Sequence, residues 1–258
     1  MDFGVFEIFM LIGALGFFIY GMKVMSDGIQ KLAGSQMRKI ISTITNNKFA
    51  GVLTGFFTTS IIQSSSATTV MVVSFVNAGL LTLRQAIGVI MGANIGTTVT
   101  AFMLLAFGFG KFSISDYSLP LIGIGIPLFF TSKNSLKSLG EFLIGFAILF
   151  MGLDELKELM SFIKEDPLFL KSIIEPVSGL GFFSVIIFVF IGTILTVVVQ
   201  SSSAAMAITL ALCGGANGIP FELAAAIILG ENIGTTITAN IAATIGNVHA
   251  KRAARAHL

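Results

Sequence analysis

Charged residues, cysteine and tryptophan are scarce in this chain of 258 residues. Only 11% of the residues are charged, whereas soluble domains carry roughly a quarter. The net charge is only +2 and the basic residues lie in short clusters between apolar runs, which excludes a nucleic-acid-binding surface. Cys213 is the only cysteine, so an internal disulfide and a multi-cysteine metal site are excluded. We expect its thiol to be buried and inert.

Apolar residues dominate instead, at 55% of the chain with a mean hydropathy of +0.96. Water is therefore not the main solvent of this protein. Apolar runs of about 20 residues are long enough to cross a bilayer as helices, and four runs are predicted to do so: 4–25, 84–109, 180–199 and 221–245. Two shorter runs, 119–131 and 138–153, are long enough to cross together with their flanks. The first run follows acidic rather than basic residues, which favours a retained helix over a signal peptide.

Two apolar stretches, 49–81 and 180–215, each have a polar centre. The centres are residues 63–66 and 200–203, both with the sequence Gln-Ser-Ser-Ser. Non-helical backbone at membrane depth survives only where it is buried in protein or lines a cavity. Each stretch is therefore predicted to form two half-helices that meet at a polar tip, as in a re-entrant hairpin. We refer to these two segments as the QSSS tips.

The chain contains an internal repeat, which is seen in two motifs that recur in the same order. With an offset of 137 residues, Gly55, Thr59, Gln63, Ser64, Ser65, Ser66 and Ala67 recur as Gly192, Thr196, Gln200, Ser201, Ser202, Ser203 and Ala204. With an offset of 138 residues, the Gly-x-Asn-Ile-Gly-Thr-Thr motif at 92–98 recurs at 230–236. More weakly, Gly21 resembles Gly152.

An odd number of crossings in the first copy would invert the second copy. The predicted fold is thus an all-α integral membrane protein with two inverted-topology repeats, each with a spanning helix, a re-entrant helical hairpin and a broken helix. Residues 1–132 form the first repeat with a connecting helix, 133–248 the second repeat and 249–258 a basic cytoplasmic tail. An external N-terminus places every lysine and arginine on the cytoplasmic side except Lys111, Lys157, Lys164 and Lys171. The acid-rich segment 154–175 is then an external loop.

The repeated motifs carry chemistry that suits ions. A QSSS tip offers hydroxyl and amide groups, and the half-helix after it presents unpaired N–H groups and partial positive charge, which together form an anion site that phosphate fits. A helix break at Gly-x-Asn-Ile-Gly-Thr-Thr would free carbonyl oxygens beside Asn and Thr oxygens, which suit sodium. Serine and threonine in membrane helices also commonly bond back to the backbone or join helices, but the duplication at matched spacing favours ligand binding.

Glu231 is an acid inside an apolar run, and its counterpart in the first repeat is Ala93. Intramembrane ionisable residues are functional hypotheses by default. Glu231 could ligate a cation, carry a proton or pair with a polar neighbour for structural reasons, and the sequence leaves these three roles open. We expect His249 and His257, in the basic tail, to lie at the membrane interface.

These motif pairs resemble the type II sodium-dependent phosphate cotransporter family, whose hallmark is Gln-Ser-Ser-Ser in each of two inverted repeats. The resemblance covers about residues 4–245. It implies a sodium-coupled symporter that imports inorganic phosphate across the cytoplasmic membrane, with no enzymatic activity and no cofactor besides the transported ions. The implied phosphate ligands are Gln63, Ser64, Ser65, Ser66, Gln200, Ser201, Ser202 and Ser203. The implied sodium ligands are Asn94, Thr97, Thr98, Asn232, Thr235, Thr236 and Thr238, with Glu231 as a candidate ion-coupling residue.

Rival interpretations remain at this level. A passive anion channel, or a transporter of another oxyanion such as sulfate, would use the same tips. An enzyme is disfavoured because neither histidine lies near a QSSS serine that it could activate. In bacterial relatives a segment like 250–258 leads into further helices, so regulation cannot be inferred from this chain, and a homodimer is one of the assemblies we consider.

Overall fold

The computed structural model describes residues 5–44, 47–109, 114–165, 176–177, 179–213 and 218–258. All regular structure in these ranges is helical, which confirms the predicted all-α class. The helices are α1 Val5–Ile44, α2 Lys48–Ile62, α3 Ser65–Asn77, α4 Leu83–Met103, α5 Ser118–Phe129, α6 Asn134–Glu165, α7 Phe182–Val199, α8 Ser202–Cys213, α9 Phe221–Ala242 and α10 Val248–Arg255. A π-helical turn, Leu104–Gly108, continues α4, and 3₁₀ turns span Ile114–Tyr117 and Ala243–Ile245.

Four helical segments are long and apolar enough to cross a membrane. They are Val5–Gln36, Leu83–Gly108, Asn134–Ser161 and Phe182–Val199. Helix α9 is not among them because the polar residues of its motif lower its hydropathy, so its crossing stays a prediction. The protein is therefore an integral membrane protein, and its many exposed Phe, Ile and Leu side chains suit contact with lipid.

Helix α6 is longer than the sequence predicts. The segment 154–175 was expected to be a loop, but its first part is helical as far as Glu165. The reason is that Leu156, Leu159 and Met160 are buried at helical spacing and continue the packed face of α6 past the apolar run. Residues 166–175 lie outside the described residues, as do Lys111 and Lys171.

Helices α1 and α6, the first helices of the two predicted repeats, pack as an antiparallel pair. Gly21 of α1 meets the backbone of Leu149, and Gly28, further along α1, meets the backbone of Phe142, which precedes Leu149 in α6. The interface is filled by buried apolar side chains, which include Phe18, Met25, Phe150 and Leu153. Cys213, at the end of α8, is half-buried rather than fully buried as expected.

Both predicted helical hairpins are present. Helices α2 and α3 meet at Gln63 and Ser64, and helices α7 and α8 meet at Gln200 and Ser201. The second helix of each hairpin also packs against the long helix of the other repeat, α3 against α9 and α8 against α4. This mutual exchange of contacts joins the two halves.

The predicted helix breaks at 92–98 and 230–236 are wrong, because α4 and α9 run unbroken through both motifs. The glycines of these motifs instead allow close helix packing. A Cβ atom added to Gly92 would lie 1.9 Å from the carbonyl oxygen of Val52 in α2, and one added to Gly230 would lie 1.9 Å from that of Val189 in α7. The two repeats therefore share the same internal packing.

Candidate functional site

The turn of each hairpin is formed by a glutamine in the left-handed conformation. Gln63 has a φ of 59° and Gln200 a φ of 57°, and no other non-glycine residue in the described ranges has a positive φ. This conformation is uncommon for residues with a Cβ atom, so its recurrence at equivalent positions marks a designed feature. Each backbone N–H donates to a carbonyl of the preceding helix, Thr59 or Thr196, at 2.7 Å.

The glutamine side chains complete this cap. The Nε2 amide of Gln63 donates to the carbonyl oxygen of Ser60, and that of Gln200 donates to the carbonyl oxygen of Val197 at 2.5 Å. These bonds satisfy carbonyl groups that a helix end leaves free. The donors of each amide are thereby turned toward its own helix, and its Oε1 atom remains available as an acceptor.

The first serine of each QSSS tip caps the following helix. Oγ of Ser64 accepts a hydrogen bond of 3.1 Å from the N–H of Ala67, and Oγ of Ser201 accepts one of 3.2 Å from that of Ala204. For these two serines, part of the predicted binding role is therefore a capping role.

The remaining serines of the tips occupy the first turn of α3 and α8. Ser65, Ser202 and Ser203 are buried, whereas Ser66 is half-buried. The N–H groups of a first helical turn have no partner within their own helix and carry partial positive charge. Each tip therefore presents donors and positive potential without a basic residue, as the sequence predicted.

In the second repeat a predicted phosphate ligand contacts a predicted sodium ligand. Oγ1 of Thr238 in α9 donates to Oε1 of Gln200 at 3.4 Å, which joins the hairpin tip to the long helix. The counterparts in the first repeat, Thr100 and Gln63, have buried Oγ1 and Oε1 atoms without a hydrogen-bond partner in the described part of the chain. Sequence reasoning missed Thr100, although its offset of 138 residues from Thr238 would have identified it.

Further unpaired hydroxyl groups lie in the same hairpins. The buried Oγ1 atoms of Thr58, Thr69 and Thr196 have no partner among the described residues, whereas Thr59 and Thr68 bond to each other at 3.1 Å. An unpaired buried hydroxyl is costly, and natural proteins contain few of them. Their concentration in the hairpins, together with Gln63 and Thr100, is typical of a site that holds ions or water.

The threonines of the Gly-x-Asn-Ile-Gly-Thr-Thr motifs bond back to their own helices. The acceptors are the carbonyl oxygens three or four residues earlier, at 2.7–3.3 Å, for Thr97, Thr98, Thr235 and Thr236. The carbonyl oxygens of the motifs therefore stay within intact helices and are not freed for sodium as predicted. A hydroxyl oxygen that donates its hydrogen keeps its lone pairs, so threonine hydroxyls remain available to a cation.

The two motif asparagines have different surroundings. Oδ1 of Asn94 lies 2.8 Å from Nε2 of His257, whereas Asn232 is exposed. His257 is only 5% exposed, so the expectation that it lies at the interface is wrong, because α10 folds back onto α3 and α4. His249 is exposed, as an interfacial position requires.

Basic residues are remote from the tips. Helices α3, α7, α8 and α9 contain no lysine or arginine. Lys48 begins α2 and Arg84 lies at the start of α4, and α2 runs for 15 residues, or about 22 Å, before its tip. An anion at the tips therefore has no side-chain cation on these helices.

The Na+/Pi-cotransporter family model matches residues 17–158 and 172–254 of this chain. The "Uncharacterized protein YqeW" of Bacillus subtilis is 32% identical over 246 residues, which cover 94% of this chain and 75% of that protein. The "Putative inorganic phosphate export protein YjbB" of Escherichia coli is 27% identical over 245 residues, 95% of this chain but 43% of that protein. The human "Sodium-dependent phosphate transport protein 2B" is 39% identical over 99 residues, 38% of this chain and 14% of that protein.

This chain thus spans less than half the length of the Escherichia coli relative. No solved structure matches the chain.

Proposed function

The chain belongs to the Na+/Pi-cotransporter family, and we propose on that basis that it carries inorganic phosphate across a membrane together with sodium ions. The family is one of transporters, which confirms that the chain is not expected to be an enzyme and that its ions are substrates rather than cofactors. The observation that supports the proposal most is the pair of left-handed glutamine turns, at Gln63 and Gln200, each followed by serines at a helix N-terminus.

Phosphate binds between the two QSSS tips in this proposal. Its oxygens accept hydrogen bonds from the first-turn N–H groups of α3 and α8 and from the hydroxyl groups of Ser65, Ser66, Ser202 and Ser203. Ser64 and Ser201 hold the helix ends in place, and Gln63 and Gln200 fix the turns. The arrangement needs no basic residue because each helix N-terminus supplies about half a positive charge.

Sodium supplies the charge that the protein lacks. Phosphate carries one to two negative charges, and moving an uncompensated anion out of water costs many kcal/mol. The unpaired oxygens of Gln63 and Thr100 and the threonine hydroxyls of the two motifs are the ligands we propose for sodium, which binds beside the anion. By linkage, each ion then raises the affinity of the other by the same factor.

Two inverted repeats would allow the site to open to either side. The antiparallel packing of α1 on α6 and the matching packing of α2 on α4 and of α7 on α9 support this topology. We propose that the N-terminus lies outside the cytoplasmic membrane and that an inward sodium gradient drives phosphate import. The name of the Escherichia coli relative refers to export, so the direction requires its own measurement.

The experiment is uptake of labelled phosphate into proteoliposomes with an inward sodium gradient, an outward sodium gradient or choline. Symport predicts accumulation only with the inward gradient and efflux with the outward one. Equal flux in choline would identify a passive anion channel, and sulfate that competes as well as phosphate would identify a general oxyanion transporter.

Two serine variants connect transport to the site. Ser65→Ala or Ser202→Ala leaves a phosphate oxygen underpaired, which costs about 1–3 kcal/mol, so the apparent affinity for phosphate should fall several-fold or more. Ser74→Ala is the matched control, because Ser74 lies on α3 but is exposed and bonds back to Val70. Wild-type affinity in both tip variants would contradict phosphate binding at the tips.

A further inference from the structure

The side chain of Glu231 is fully buried at the interface of α8 and α9, and only one of its carboxylate oxygens is paired. Its exposed fraction is 0%. Oε1 accepts a hydrogen bond of 2.7 Å from Oγ1 of Thr209, whereas Oε2 is buried without a hydrogen-bond partner among the described residues. Because a buried carboxylate oxygen without a partner is costly, the geometry calls for a ligand at Oε2.

No side chain on the described helices around α9 supplies that ligand. Helices α3, α7, α8 and α10 pack against α9, and the first three contain no charged residue or histidine, only the Cys213 thiol one turn beyond Thr209. Glu222 lies at the opposite end of α9, and about 16 Å of helix separates Glu231 from the end of α9 at Ala242. Beyond that end, α10 carries His249, Lys251, Arg252 and Arg255.

The polar pair exists in only one of the two repeats. The counterpart of Thr209 in the first repeat is Val72 and that of Glu231 is Ala93, and both of these side chains are fully buried. The same helix interface is thus built from apolar side chains in the first repeat. The packing of α8 on α9 does not require a carboxylate, so the pair is retained in the second repeat for a purpose other than the fold.

We propose that Glu231 and Thr209 form a binding site for a monovalent cation, either a proton or a sodium ion, separate from the QSSS tips. Thr238 contacts Gln200 at the tip, and Glu231 lies seven residues earlier on α9, about 10 Å along the helix. A cation on Oε2 neutralises the carboxylate while Thr209 holds Oε1. As a coupling site, this assignment rests on the proposed symport and gives the second repeat an ion site that the first lacks.

Thermal unfolding of the purified full chain tests the site without measuring transport. A cation that binds only the folded state raises the unfolding temperature. In one arm sodium replaces choline at pH 8, and in the other the pH is lowered from 8 to 5.5 in choline. Wild type and the matched control Glu222→Gln, which changes an exposed acid on the same helix, should be stabilised in at least one arm.

Glu231→Gln should lose that stabilisation, or require at least about ten-fold more of the cation. Loss in the sodium arm identifies a sodium ion, and loss in the pH arm identifies a proton. A Glu231→Gln protein that responds like wild type in both arms would overturn the proposal.

A second variant covers the case in which Glu231→Gln does not fold. Thr209→Val introduces the residue found at this position in the first repeat, keeps the carboxylate and removes its donor, so the half-maximal cation concentration should shift several-fold. Unchanged half-maximal concentrations would likewise overturn the site. Binding of labelled phosphate at saturating sodium is measured on the same samples. Its absence in wild type would defeat the proposed transport function, whereas the two cation arms decide the Glu231 site independently.

Discussion

Nε2 of His257 lies 2.8 Å from Oδ1 of Asn94, although 163 residues separate them in the sequence. Because the amide oxygen is only an acceptor, the imidazole donates from Nε2 and is neutral. Its Nδ1 atom is buried without a partner among the described residues. A second proton would therefore have no acceptor at Nδ1, and burial lowers the pKa of His257 from its usual value of 6.5.

The first prediction is that acid loosens α10 from α3 and α4. Because the pKa of His257 is lower in the folded state than in the unfolded state, its contribution to docking is present above about pH 6.5 and is lost as the pH falls toward the folded pKa. Amide hydrogen exchange over 248–255, expressed as protection factors at pH 7.5 and 5.5, should show reduced protection at the lower pH.

Two glutamine variants isolate the histidine responsible. His257→Gln keeps a donor but does not titrate, so the loss of protection at pH 5.5 should disappear. His249→Gln, which changes an exposed histidine of the same helix, should behave like wild type. The same acid response in His257→Gln would show that another group controls docking.

The docking of α10 also shows where sequence reasoning ends. The two hairpins were predictable because a polar tip inside an apolar run has few alternatives in a bilayer, and the internal repeat provided a second copy of each. The burial of His257 depends on contacts with helices far away in the sequence, such as the bonds of Asn247 to Asn77 at 2.8 and 3.0 Å. Neither periodicity nor composition within the tail contains that information.

The motif glycines were misinterpreted for a related reason. A glycine in a membrane helix permits either a break or a close approach, and only the neighbouring helix decides which occurs. The constant spacing between Gly55 and Gly92 and between Gly192 and Gly230 was visible in the sequence, but the backbone of Val52 against Gly92 was not. Thr100 was missed because the repeat was not applied in both directions.

The second prediction concerns the close packing at these glycines. Gly92→Ala or Gly230→Ala would place a Cβ atom within 1.9 Å of a carbonyl oxygen, so the helices must separate, at a cost of about 1–3 kcal/mol or more. Each variant should unfold at a clearly lower temperature in detergent. Gly16→Ala is the control, because nothing lies within 4 Å of the added atom, and a similar loss there would mean that any alanine destabilises the protein.

The third prediction separates the two functions of the tip glutamines. Gln200→Gly relieves the left-handed strain but removes the amide, whereas Gln200→Ala removes the amide and keeps the strain, which amounts to roughly 1 kcal/mol. Gln200→Gly should therefore be the more stable of the two in thermal unfolding, while both lose the contact with Thr238 and bind sodium more weakly. Sodium affinity equal to wild type in both variants would limit Gln200 to a capping role.

The last prediction distinguishes capping from phosphate binding at the same tip. Ser64 accepts the N–H of Ala67, so Ser64→Ala should lower the stability by about 1 kcal/mol. Aspartate caps helices as well as serine does, so Ser64→Asp should retain the stability. Its carboxylate, however, would occupy the positive end of α3 and repel an anion there. Calorimetric titration with phosphate in sodium buffer should consequently show that Ser64→Asp binds phosphate far more weakly than Ser64→Ala, although it is the more stable protein. The opposite order of affinities would mean that phosphate does not approach the N-terminus of α3, because no other site on the chain would favour the uncapped variant.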